Sequence, residues 1–326
     1  MAEARQTKKT TIGGQALIEG IMMRGVSTEA MAVRTKDGAI DVEQWELKPR
    51  RWYEKAPFIR GSVNFVNSLM DGYKCMMKSA EKSGMMEDDE EPTKFEKWLD
   101  DKFGDKLTNM IMGVAMFIGV VLAVVLFLFV PSYLFTLIEK LAGDTDISMW
   151  KSAFEGVLKL ALFVGYMAIV AQMKDIKRTY EYHGAEHKTI ACYEAGKPLT
   201  VENIRPMTRF HPRCGTSFII ITLLVSILFY SLVPIEPAAW FGIENNMLGV
   251  LLRVVIKLAL LPVVVGIAYE LIRLAGRYTN PVTKVLSAPG LWMQRLTTRE
   301  PDDSQIEVAI AALTPCLPKH GEDDNW

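Results

Sequence analysis

Apolar runs alternate with polar stretches along this chain, and four of the runs are long enough to matter first. A helix needs about 20 residues to cross a hydrocarbon layer of roughly 30 Å. Met110–Leu134, Ser152–Met173, Phe218–Pro234 and Leu248–Ile272 meet or approach that length. The first and third carry no charge, the second contains Glu155 and Lys159, and the fourth Arg253 and Lys257. Charges inside spans can pair, here Glu155 with Arg253 or Lys257. All four lie near the predicted outer interface, so snorkelling towards water is the expectation. Pro262 is expected to kink the fourth span.

The shorter patterns describe a polar-facing region. Gln15–Arg24 is an apolar run bounded by glycines and reads as a strand. Met31–Thr35 and Ala39–Leu47 bracket Lys36-Asp37-Gly38, a hairpin signal. From Val63 onward, Val66, Leu69, Met70, Tyr73, Met76, Met77 and Ala80 recur at helical spacing, giving an amphipathic helix that packs on the sheet or lies on a membrane. Glu87–Pro92 reads as a solvated acidic linker and Phe95–Leu107 as a helix leading into the first span. Past the last span the expectations are a break at Asn280-Pro281, a turn at Pro289-Gly290, a short helix over Gln305–Leu313 and disorder over His320–Trp326. No internal repeat supports an inverted-repeat transporter.

Composition agrees with this division. Half of the 326 residues are hydrophobic while 23% are charged, and mean hydropathy is +0.14, as for a membrane protein with polar regions. A formal net charge of −1 argues against a general nucleic-acid binder. Lys and Arg concentrate in residues 1–107, in the loop 174–217 and at Arg273 and Arg277, whereas 235–247 has neither. By the positive-inside rule both termini and the 174–217 loop face the cytoplasm. No apolar segment follows Met1–Thr10, so the first span is expected to serve as the insertion signal. Cys75, Cys192, Cys214 and Cys316 then sit in a reducing compartment, as thiols or metal ligands. The expected fold is a polytopic α-helical membrane protein with four transmembrane helices over 108–272. A small cytoplasmic α+β domain is expected from residues 1–107, the 174–217 loop and the 273–326 tail.

The candidate chemistry lies in that loop. Three of the four histidines fall there, in His183-Gly184-Ala185-Glu186-His187 and His211-Pro212-Arg213-Cys214-Gly215. On a helix over about Arg178–Ala195, His183 and His187 share a face and can meet one ion. Glu186 precedes His187 as in the inverzincin order, where the Glu is general base to a zinc-activated water. For further ligands Glu194, His211 and Cys214 compete. Four ligands from His183, His187, His211 and Cys214 close the tetrahedron and make the site structural; three leave a position open for chemistry. Mixed imidazole and thiolate ligation favours zinc, while carboxylate with imidazole also accepts iron or manganese. A solvated polar helix face is the bland alternative. Glu19 and Arg24 fit a structural ion pair, with an orienting role for Glu19 towards a histidine as the alternative.

Three separated stretches together resemble one family: Gly13–Gly25, Tyr182–Thr189 and His211–Phe218, joined by Gly290–Gln294 and Thr297–Pro301. They are similar to the YqhQ-like family of bacterial membrane proteins, a domain of unknown function often labelled a predicted metal-dependent enzyme. The resemblance implies a bacterial plasma membrane and carries over no established catalytic residue. Two readings follow. One is a zinc-dependent hydrolase at the cytoplasmic surface, with Glu186 as base, His183 and His187 as ligands and Glu194 or His211 as the third. The other is a non-enzymatic accessory factor of a membrane-protein complex, for insertion or assembly, in which the His/Cys cluster is structural.

Overall fold

Two residues, Ile18 and Glu19, turn what reads as one apolar strand into two. In the computed structural model, which describes residues 9–49, 51–85, 105–143, 145–233, 235, 237–243, 245–278 and 280–326, β1 (Gly13–Leu17) and β2 (Gly20–Arg24) pair antiparallel across that turn, closed by Leu17 and Gly20. Glu19 takes a left-handed φ of 49°, uncommon for a side-chain-bearing residue. Its carboxylate accepts from Arg178 and from the Tyr182 hydroxyl at 3.1 Å, which anchors the turn. β3 (Thr28–Arg34) and β4 (Ile40–Glu46) follow, joined at Lys36-Asp37-Gly38 with Gly38 at φ 83°, the turn that the Asp-Gly signal predicts. The sheet order is β1-β2-β3-β4, so β1 is an edge.

Alternation gives the sheet two apolar faces. Leu17, Met22, Met31 and Val33 pack with Cys75 and Met76 of helix α1 (Ile59–Lys82). Only the C-terminal half of α1 is used in this way, since Val66, Leu69, Met70 and Tyr73 stay exposed. On the opposite face Ile21, Met23, Ala30 and Ala32 meet two helices described below.

The apolar helices come next. α2 (Asp105–Val124) passes through one wider turn, Val125–Phe129, into α3 (Val130–Ala142). The wider turn precedes Pro131, which has no N–H for the regular ladder. α4 (Lys151–Val170), α5 (Lys174–Glu194), the short α6 (Val201–Ile204), α7 (Gly215–Leu232), α8 (Pro237–Phe241), α9 (Asn246–Arg277), α10 (Pro281–Thr297) and α11 (Asp303–Leu313) complete the order. Among the described residues four helices are long and apolar enough to cross a membrane: Gly113–Ala142, Lys151–Val170, Gly215–Leu232 and Met247–Arg277. They match the four predicted runs, the first and last extending further. Glu87–Pro92 and most of Phe95–Leu107 lie outside the described residues.

The chain divides into two compact units, one drawn from residues 1–86, 164–225 and 262–326, the other from 87–163 and 226–261. The first holds the sheet, α1, α5, α10 and α11. α5 and α11 cover the Ile21 face of the sheet with Tyr182, Ala185, Ile190, Val308, Ala309 and Leu313. α5 ends where Gly196 adopts φ 65° and the Lys197 N–H reaches back to the Cys192 carbonyl at 3.2 Å, a glycine C-cap. α11 starts at Asp302, whose carboxylate accepts from the Gln305 N–H at 2.9 Å.

Three expectations are corrected. Pro289-Gly290 is no turn but lies within α10. Gly290 is needed there because a Cβ would stand 2.5 Å from the Ser217 side chain. The His320–Trp326 segment is ordered against the N-terminal segment. Thr11 N–H donates to the Asp324 carbonyl (2.6 Å) and Trp326 N–H to the Lys9 carbonyl (2.8 Å). Buried Asp324 accepts from Thr10 and Tyr193 hydroxyls.

The third correction concerns the second unit. Glu155, Lys159, Arg253 and Lys257 do not snorkel; all are buried together. Glu155 accepts from Lys257 and, at 2.9 Å, from the Ser132 hydroxyl, with Lys159 at 3.8 Å and Arg253 at 3.9 Å. Mutual attraction of buried opposite charges is the reason, since neither sign is stable alone in an apolar surrounding. Glu155→Ala is expected to destabilise the protein by about 3–5 kcal/mol by leaving the cations unpaired. A lowered thermal midpoint in detergent micelles, against a near-neutral exposed control such as Glu81→Ala, checks this.

Candidate metal centre

His183 and His187 stand one turn apart on α5, and Cys214 arrives from the segment that leads into α7. One nitrogen of each ring and the Cys214 sulfur all lie within 4.8 Å of one another, the one such group found among the described residues. His183 Nε2 is 3.2 Å from Cys214 Sγ, near the roughly 3.5 Å separating two tetrahedral ligands at ordinary zinc bond lengths. The two rings are held alike. His183 Nδ1–H donates to the Thr297 carbonyl at 2.8 Å and His187 Nδ1–H to the Arg209 carbonyl at 2.6 Å. Both rings are thus fixed with Nε2 as the ligand atom, the arrangement that outer partners impose on metal-binding histidines.

Electrostatics agree. Burial opposes charge on His183 and Cys214, yet their proximity outweighs it. The sulfur and Glu186 raise His183 to about 9, and His183 with His187 holds the Cys214 thiol well below its usual range. That direction favours the thiolate, the form that binds metal.

Glu186 sits behind this group. Burial pushes its carboxyl above the ordinary range, with His187, His183 and the Gly14 N–H opposing. Its Oε2 is buried with no hydrogen-bond partner. A buried unpartnered carboxylate oxygen is costly unless a ligand meets it. Gly14 is required here, because its Cβ would lie 2.5 Å from the Met22 carbonyl and 3.2 Å from Glu186 Cδ. The glycine-bounded run thus packs against α5 at Glu186. A cavity of about 370 Å³ opens beside the group, lined by β1, by His183, Glu186 and His187, and by His211 to Thr216 apart from Pro212.

The other proposed ligands are placed differently. Glu194 points to Arg213, and one of its oxygens accepts the Thr10 N–H at 2.8 Å. Although burial opposes it, His211, Arg213 and Thr10 hold this carboxyl below the ordinary range. His211 lies beside the triad, its ring 5.5 Å from that of His187. Its Nε2 accepts from Arg213 at 3.1 Å, which uses the lone pair a metal would need. Burial lowers its pKa, so it is neutral. Glu19 does not reach a histidine and does not pair with Arg24; its ion pair is with Arg178. Arg24 pairs instead with Glu29 and Asp71.

Several positioning residues escaped the sequence reading. Gln294, fully buried, accepts the His211 N–H at 2.8 Å and donates to the His211 carbonyl at 2.6 Å and to Ser217 Oγ at 3.0 Å. The Thr297–Glu300 segment clamps α5 and the 205–213 segment. Thr297 holds His183, Thr298 takes Arg209, Arg299 N–H donates to the Tyr180 carbonyl (2.8 Å), and Glu300 pairs with Lys188 (2.5 Å). The available signal was the Thr297–Pro301 stretch itself, a polar run after a helix with no span to serve.

Comparison with known proteins adds kinship without activity. A family model described as "Protein of unknown function (DUF1385)" matches residues 56–319. The "Uncharacterized protein YqhQ" of Bacillus subtilis (strain 168) is 36% identical over 309 residues, covering 94% of this chain and 92% of its own. No solved structure matches.

Gly184 gives the clamp a direct test. A Cβ there would stand 1.9 Å from the Arg299 carbonyl oxygen, and overpacking of this kind costs about 1–3 kcal/mol. Gly184→Ala is expected to lower the thermal midpoint and to speed proteolysis within the segment after residue 297, read by mass spectrometry of the fragments.

Proposed function

The chain belongs to the DUF1385 family, for which no activity is established, and from the geometry of its His/Cys centre we propose that it is an integral membrane metal-dependent hydrolase. His183, His187 and Cys214 hold the ion, zinc by the softness of the donor set, and Glu186 is the general base. One observation carries the reading: Glu186 Oε2 is buried and unpartnered at a cavity beside three ligand atoms.

A bound zinc supplies Lewis acidity at the cavity wall, polarising a water or a substrate carbonyl. The remaining work falls to the chain. The carbonyls of Thr297 and Arg209 keep both Nε2 lone pairs turned to one point. Glu186 is outside the ligand group, so its free oxygen can take a proton from a nucleophilic water and return it to a leaving group. Burial, by raising its pKa, makes it a stronger base than a solvated carboxylate.

An open three-ligand set is favoured over a closed structural tetrahedron because His211 Nε2 is engaged by a guanidinium. Glu194 is neutralised by the same Arg213. The four apolar helices and the Lys/Arg distribution support a multi-pass protein of the bacterial plasma membrane with both termini cytoplasmic, the centre facing that side.

Two measurements test this. Elemental mass spectrometry of protein purified in mild detergent should find about one zinc per chain, lost in His187→Ala and in Cys214→Ser. Glu186→Gln should keep the metal and the fold while reducing turnover roughly 100-fold or more. A wild-type rate in that variant would return the centre to a structural role.

A further inference from the structure

One wall of the cavity is rich in glycine. Gly13, Gly14, Gln15 and Ala16 of β1 line it in succession, and Gly215 lines it at the start of α7. Gly14 is explained by Glu186 and Met22, whereas a Cβ on Gly13 or on Gly215 would meet nothing within 4 Å and neither has a left-handed φ. No neighbour among the described residues calls for glycine at those two points. Glycine in a strand marks the close approach of another backbone.

β1 is also the edge of its sheet. With Leu17 and Gly20 closing a two-residue turn, alternate residues Ala16 and Gly14 turn their amides away from β2. At Gly14 the strand runs close against Glu186, whose Cδ would stand 3.2 Å from a Cβ there. The N–H and C=O of Ala16 and the C=O of Gly14 are left along the cavity wall.

We propose that the substrate is an extended polypeptide that adds to β1 as a fifth strand, its scissile amide reaching the metal centre. The inference rests on the hydrolase reading and names its substrate class. Strand addition supplies affinity through main-chain hydrogen bonds, and Glu186 lies against the same strand, so a peptide held there carries an amide past the base. One water is consumed: its oxygen bonds to the amide carbon, Glu186 takes one proton and delivers it to the nitrogen as the C–N bond breaks, and the second proton follows to give a carboxylate and an ammonium. A phospholipid headgroup fits less well. The cation lining the cavity, Arg213, is already paired with Glu194, and the Glu186 carboxylate would repel a phosphate.

Binding is read apart from cleavage. Full-length Glu186→Gln protein in detergent micelles, loaded with zinc, is titrated with fluorescein-labelled β-casein, an extended polypeptide, with and without Gly13→Val or Ala16→Pro. Proline removes an outward N–H that an edge strand can spare, and valine suits a strand, so thermal midpoint and zinc content should not change. Each substitution should weaken casein binding roughly tenfold. Failure of the parent to bind casein, or equal binding by both variants, overturns the proposal. So does headgroup release from phosphatidylglycerol vesicles by the Glu186-containing protein if Gly13→Val blocks that reaction. A wild-type cleavage rate in Glu186→Gln would instead strike the hydrolase reading, while casein binding at β1 stands or falls by the titration.

Discussion

Two backbone carbonyls, those of Thr297 and Arg209, are what the centre depends on. An imidazole offers either nitrogen to a metal, and a surface helix leaves that choice to solvent. Here each Nδ1–H is spent on a carbonyl, so both rings present Nε2 and both are fixed in rotation. The carbonyls lie 22 and 114 residues beyond the histidines they hold, and everything that positions those segments positions the histidines. Gln294 grips His211 on both sides of its peptide, Arg209 reaches Thr298, and Lys188 reaches Glu300. The glycines at 184 and 290 let these pieces touch.

The same economy holds charges apart. Arg213 stands next to Cys214 in sequence, and a cation facing the ion would repel it. Glu194 neutralises it, and the Trp326 ring lies 5.3 Å from its guanidinium carbon. His211, held neutral by burial and engaged by Arg213, neither competes for the metal nor adds charge. What is left uncompensated is the Glu186 oxygen, on the wall where a reaction would need it.

Much of this was legible in the sequence where the signal is local. Helical spacing put His183 and His187 on one face, Asp37-Gly38 marked its hairpin, and length with hydropathy located all four apolar helices. Scarcity of His and Cys drew Cys214 into the group. What failed was everything decided at long range. Glu194 shares a helix with the histidines but faces Arg213, which no spacing rule foresees. Pro289-Gly290 carries a turn signal overruled by packing on Ser217. Glu155 and Lys257 are 102 residues apart; their pairing was named only as the alternative to snorkelling, because the fold that joins them is not in the local pattern. The tail looked disordered because its partners, Thr10 and Tyr193, are nowhere near it in sequence.

The sheet has a consequence for how the molecule is made. Its strands are complete by residue 46, yet the face bearing Ile21, Met23, Ala30 and Ala32 is covered by α5 and finally by α11, which ends at Leu313. At ordinary rates of synthesis the wait for α11 is roughly 15–50 s. All four apolar helices emerge in that interval, while this apolar sheet face waits uncovered. The nascent N-terminal region is therefore a client for whatever shelters sticky surfaces at the ribosome, and the last forty or so residues act as the latch that ends its dependence.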